Sequence, residues 1–145
     1  MTTSKDVQGF EHDWLASDTE GRVALFSTAG GGYAPDAFIA SIATFDEAID
    51  AILLMPPISV ATCTRELPDG LENTWKLIAE RGFFAYDSDP LGGPYRLIAA
   101  PLNPVALANL PVPIRNVAGT IVLPSVAFKR AREITEEQIR KAHLT

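Results

Sequence analysis

The sequence predicts an α+β fold: an antiparallel sheet built from two hairpins plus a C-terminal strand, with about three helices packed on one side. Three observations carry that expectation. Two pairs of apolar, β-prone runs are each separated by a short Gly- or Pro-bearing turn, at 13–27 and 82–101. Apolar residues recur at helical spacing in 44–55 and 71–81. A capping box precedes a short charged run at 135–143.

Taken in order, "DWLAS" and "RVALFS" flank Asp18-Thr19-Glu20-Gly21, where glycine suits the positive φ that a tight hairpin needs. "TAGGGYAP" follows as a loop, and Pro35-Asp36 opens a short helical stretch, because proline is tolerated in a first turn. Thr44-Phe45-Asp46-Glu47 matches a second capping box, with Ala48, Ile49, Ile52 and Leu53 as the apolar stripe and Pro56 as the stop. "ISVATCT" at 58–64 is β-branched and reads as a strand or extended linker. In the helix over 71–81, Leu71, Trp75 and Ile78 share a face, and Gly82 stands at the C-cap.

"GFFAYDSD" and "PYRLIAAP" form the second hairpin across Asp89–Pro94. Four prolines between 101 and 118 predict irregular chain with one helical turn near Val105–Asn109. "TIVLPSVAFKR" reads as a strand interrupted at Pro124. Thr135 through Gln138 then caps a helix running to His143. A length of 145 residues and 47% hydrophobic content fit one folded domain.

Charge is unevenly placed. Net charge is −6. Residues 1–50 hold nine acids against Lys5 and Arg22, whereas 129–145 hold five bases against three glutamates. An acidic N-terminal third repels phosphate backbones and disfavours nucleic acid as a partner. It is complementary to a basic protein surface. No apolar run approaches a membrane span, the N-terminus has no signal-like apolar region, and the lone Cys63 fits a reducing compartment. Those features predict a cytoplasmic protein without a membrane partner.

Chemistry-bearing motifs fall short one at a time. "AGGGYAP" lacks the Gly-Lys-[Ser/Thr] of a phosphate loop and the G-x-G-x-x-G of a dinucleotide site. His12-Asp13 has one other histidine in the chain, His143, to complete a metal set. Asp87-Ser88-Asp89 is not followed by the ligands of a calcium loop. Cys63, Ser27 and Ser125 lack a neighbouring base or a nucleophile elbow. No catalytic residue, metal or cofactor is therefore expected. Trp14 and Trp75 read as core aromatics. Tyr33, an amphipathic ring among glycines, reads as an interface anchor.

The run Asp13-Trp14-Leu15-Ala16, Asp18, Gly21, Ala24, Phe26, Thr28-Ala29-Gly30, with "GFFAYD" and "GGPYRLIAAP" downstream, resembles small bacterial proteins encoded beside polymorphic or contact-dependent toxins and treated as their immunity proteins. The likeness is close over 12–35 and looser over 82–101. It implies a non-catalytic protein that binds and neutralises a cognate toxin domain. The acidic surface expected to do so comprises Asp18 and Glu20 on the first turn, Tyr33 and Asp36 after the glycines, and Asp87 and Asp89 at the second hairpin. The residues themselves are also compatible with a generic interaction module, or with a small ligand-binding protein or enzyme.

Overall fold

The structure, a computed structural model, describes residues 11–64 and 74–144. One mixed sheet organises it. Its strands are β1 (Asp13–Asp18), β2 (Val23–Ser27), β3 (Ala61–Cys63), β4 (Phe84–Asp87), β5 (Tyr95–Pro101), β6 (Ile121–Leu123), β7 (Glu133–Ile134) and β8 (His143–Leu144). The order is β3-β5-β4-β2-β1-β6-β8, with β7 joined to the start of β5. The described helices are α1 (Asp36–Ile39), α2 (Ile42–Leu53), α3 (Thr74–Ala79), α4 (Val112–Ala118) and α5 (Glu136–Arg140), with a 3-10 turn at Leu107–Asn109.

Both expected hairpins form. In β1–β2, Trp14 faces Phe26, Leu15 faces Leu25 and Ala16 faces Ala24, and Gly21 takes φ +75 in the turn. In β4–β5, Ala85 faces Ala99 and Tyr86 faces Leu97 across an irregularity of register. The sheet is nevertheless not antiparallel throughout. β2 runs parallel to β4, and β1 parallel to β6. The long excursion through α1, α2, β3 and α3 returns the chain beside β2 in the same direction, as a helical crossover permits.

Alternation along the strands sorts the core into two faces. Leu15, Leu25 and Ser27 face the helices: the Trp75 Nε1 of α3 donates to Ser27 Oγ at 3.0 Å, and α2 packs against both α3 and α4 on this side. The other face is aromatic. Trp14 stacks on Phe26 with centroids 4.3 Å apart, Phe26 stacks on Tyr86 at 5.2 Å, and Tyr95 meets both Trp14 and Phe26 edge-on. Such pairs add about 0.5–1.5 kcal/mol each beyond the area they bury. Phe128 and Val126, from the irregular chain after β6, join this core, with the Phe128 ring against Phe26 and Tyr86.

Several local expectations are corrected. The Thr44 box does not cap a helix. α2 begins two residues earlier, at Ile42, because Phe45 packs edge-on against Phe38 at 5.2 Å, and that burial outweighs a cap worth about 1 kcal/mol. α4 occupies chain expected to be irregular: Pro111 is its N-cap and Pro113 lies in its first turn, where a missing N–H costs nothing. The C-terminal helix stops at Arg140, and His143 instead pairs with Val122 in the sheet. Its capping box is present, Thr135 Oγ1 accepting from the Gln138 amide at 3.2 Å and Gln138 Oε1 from the Thr135 amide at 2.9 Å. Gly82 ends α3 with φ +90. Leu71, the expected start of that helix, lies outside the described residues. Trp14 is buried, but Trp75 is only half-buried.

Candidate protein-binding surface

The topology decides which of the expected surface residues can act together. β4 is parallel to β2, so the β4–β5 turn lies at the end of the sheet where β2 finishes. The β1–β2 turn lies at the other end. At about 3.3 Å per residue the five steps from Asp13 to Asp18 separate the two ends by about 17 Å. Asp18 and Glu20 therefore do not join Asp87 and Asp89, contrary to the single acidic edge expected.

Asp18 is also not a surface residue. It is 4% exposed. Its Oδ1 accepts the Glu20 and Arg22 amides at 2.9 Å each, and its Oδ2 accepts the Phe128 amide at 2.8 Å. One carboxylate thus closes the hairpin turn and ties down the segment that carries Phe128. Hydrogen bonds to an ionised acceptor are the strong ones, which accounts for a buried acid here. Glu20 is exposed but engaged, with Arg22 at 2.7 Å and Arg130 at 3.3 Å.

At the opposite end the glycine loop lies on the second hairpin. A side chain at Gly31 would overlap the Gly92 nitrogen and the carbonyl oxygens of Asp89 and Pro90, and one at Gly32 would lie 2.7 Å from the Tyr95 hydroxyl. These glycines allow two backbones to touch. They do not form an anion cradle: the Gly31 and Gly32 amides donate to the Thr28 carbonyl at 3.0 and 2.8 Å. The Tyr95 hydroxyl accepts from Trp14 Nε1 at 3.2 Å and donates to the Tyr33 carbonyl at 2.8 Å, so the aromatic core holds the loop directly. Burial pushes the Tyr95 hydroxyl well above its ordinary pKa, keeping it protonated as that donor.

The Tyr33 ring is half-buried beneath the Arg140 guanidinium, 4.3 Å from its centroid. Asp36 is exposed in the first turn of α1. Asp87 ends β4, half-buried and paired in register with Arg96. Asp89 is exposed and forms a 2.8 Å bridge with Arg96. Glu20 and Asp89 thus belong to surface ion pairs, worth about 0–1 kcal/mol each, and Asp18 is part of the scaffold.

Asp13, at the start of β1, is a half-buried acid. It accepts from Ser27 Oγ at 2.6 Å, which in turn accepts from Trp75 Nε1. Burial raises its carboxyl above the usual range, the Ser27 hydrogen bond works against that, and Asp46 and Glu11 add to it. No described buried side-chain nitrogen or oxygen lacks a partner. Among the described residues no three His, Cys, Asp or Glu side chains group as a metal site, and no helix is long and apolar enough to cross a membrane.

The acids that remain available lie elsewhere. Asp46, Glu47 and Asp50 are exposed on the outer face of α2, and none forms an ion pair among the described residues. The signal for them was in the sequence. Positions 43, 46, 47, 50 and 54 fall opposite the buried stripe Phe45, Ala48, Ile49 and Ile52. Compared with protein-family models, curated proteins and solved structures, the chain matches none.

Proposed function

We propose that the protein is a non-catalytic immunity protein that acts in the cytoplasm by binding and occluding a cognate toxin domain. One observation carries this reading. Asp46, Glu47 and Asp50 on α2 present exposed carboxylates that form no ion pair among the described residues, while Asp36 on α1 feels the charge of Arg140 and Glu20, Asp89 and Glu133 spend theirs on arginines of the same chain. Uncompensated carboxylates on one face raise the rate of encounter with a basic surface, and domains that act on anionic substrates are basic around their sites. The resemblance of residues 12–35 to immunity proteins supports the same class.

Co-expression with the product of the adjacent gene, read by co-purification, tests it. A stoichiometric complex that abolishes that protein's toxicity is expected. A neighbour that is not a toxin, or one that does not bind, would remove the reading.

A further inference from the structure

The acidic face of α2 does not end in polar surface. Its exposed stripe continues through Leu54, 87% exposed at the helix C-cap, into the Pro56-Pro57 connection and on to Ile58 and Val60, 50% and 65% exposed. Leu102, 68% exposed, is attached to the same strip, since its amide donates to the Val60 carbonyl at 2.9 Å and the neighbouring Asn103 amide donates to Ser59 Oγ at 2.8 Å. The strip is held in place from behind. The Ile58 and Ser59 amides donate to the Glu80 carbonyl at 2.8 and 3.0 Å, and Arg81 Nε donates to the Met55 carbonyl at 3.1 Å.

Resting on the immunity reading, we propose that Leu54, Ile58, Val60 and Leu102 are the apolar centre of the toxin interface, with Asp46, Glu47 and Asp50 as its acidic flank. The occupant is a protein surface with apolar side chains beside a cluster of lysines or arginines. Charge complementarity selects that partner over a second copy of this chain. Pairing α2 on itself across a two-fold axis would bring two uncompensated sets of carboxylates together in a molecule already at −6. The division of labour follows from general interface physics: the desolvated apolar centre sets how long the complex lasts, and the charged rim sets how fast it forms. The strip connects α2 to the edge strand β3 and lies away from the glycine loops. Tyr33 and Asp89 are then bystanders.

Purified adjacent-gene product supplies the probe, with binding kinetics read on wild type, the double variant Leu54→Ser/Leu102→Ser and the control Leu91→Ser. Leu91 is more exposed than either, at 98%, but sits on the second hairpin turn. The double variant should dissociate at least about tenfold faster with an unchanged melting temperature, and the control should behave as wild type. Hydrogen exchange on the wild-type complex needs no substitution and should show protection over 43–60. Equal dissociation of the double variant and wild type overturns the proposal while leaving the immunity reading in place, as does protection confined to 29–36 and 88–93. A wild-type dimer that the double variant abolishes overturns it in favour of self-association. No binding by wild type overturns both.

Discussion

Asp18 and Asp46 carry the same charge in the same acidic third of the chain, and the fold uses them in opposite ways. Asp18 stands inside a turn with three backbone amides aimed at its two oxygens, so its charge is consumed in holding β1, β2 and the 124–132 segment together. Asp46 stands on the outer face of a helix with its charge directed at solvent. Counting acids gives the potential of a region. What each acid does depends on whether backbone donors converge on it. The contrast also bears on the run from which the immunity reading was proposed. Trp14, Ala16, Asp18, Gly21, Ala24 and Phe26 are core or turn positions, so that run marks how the hairpin is built, and the proposed interface lies on surfaces outside it.

The largest expected effect falls on the scaffold side. Trp14→Ala should cost about 3–5 kcal/mol in urea unfolding, since it empties a fully buried site between Phe26 and Tyr95. Half-buried Trp75→Ala should cost less; an equal or larger loss would contradict the burial described for the two tryptophans. Next comes Asp18→Ala, at about 2–4 kcal/mol, because three amides lose an ionised acceptor. Asp46→Ala and Asp50→Ala should each stay within about 0.5 kcal/mol. Similar losses for Asp18 and Asp46 would erase the distinction between them.

A smaller effect sharpens the account of the glycine loop. Gly31→Ala should destabilise by about 1–3 kcal/mol, as its Cβ must displace the backbone of the second hairpin. Gly93→Ala, with open space around it but φ +101, should cost about 1 kcal/mol from backbone strain alone. Thermal melts of the two variants separate contact from conformation.

Asp13 gives the smallest change, and its sign is informative. Its folded-state pKa is raised, so the folded protein holds this proton more tightly than the unfolded chain does. Stability from this group is therefore present below the unfolded carboxylate range and falls as pH rises through the raised folded value. Asp13→Asn should lose that dependence. Its melting temperature relative to wild type should increase from pH 4 towards pH 7. A difference that is flat or of opposite slope would mean that the Ser27 hydrogen bond outweighs burial.

The sequence made the local elements legible where local chemistry decides them. Alternation about Gly21 marked the first hairpin, and Thr135 with Gln138 marked the α5 cap. It was silent on the parallel pairings of β2 with β4 and β1 with β6, because partner choice rests on contacts some 60 to 105 residues apart in the chain. It misread Pro111 and Pro113 as breakers because proline's effect depends on whether it stands in the first turn of a helix or inside it. Among the site residues Asp36 was placed correctly on the surface. Asp18 was not, since nothing local reveals that the Phe128 amide, 110 residues on, completes its shell.

The most direct measurement is the association rate of the adjacent-gene product, the partner proposed above, with wild type and with the neutral variant Asp46→Asn/Glu47→Gln/Asp50→Asn, at low and high salt. The account predicts association at least about tenfold slower for the variant at low salt, rates that converge as salt screens the steering field, and an unchanged melting temperature. Identical rates at both salt concentrations would contradict it and reduce the α2 carboxylates to a solubility feature.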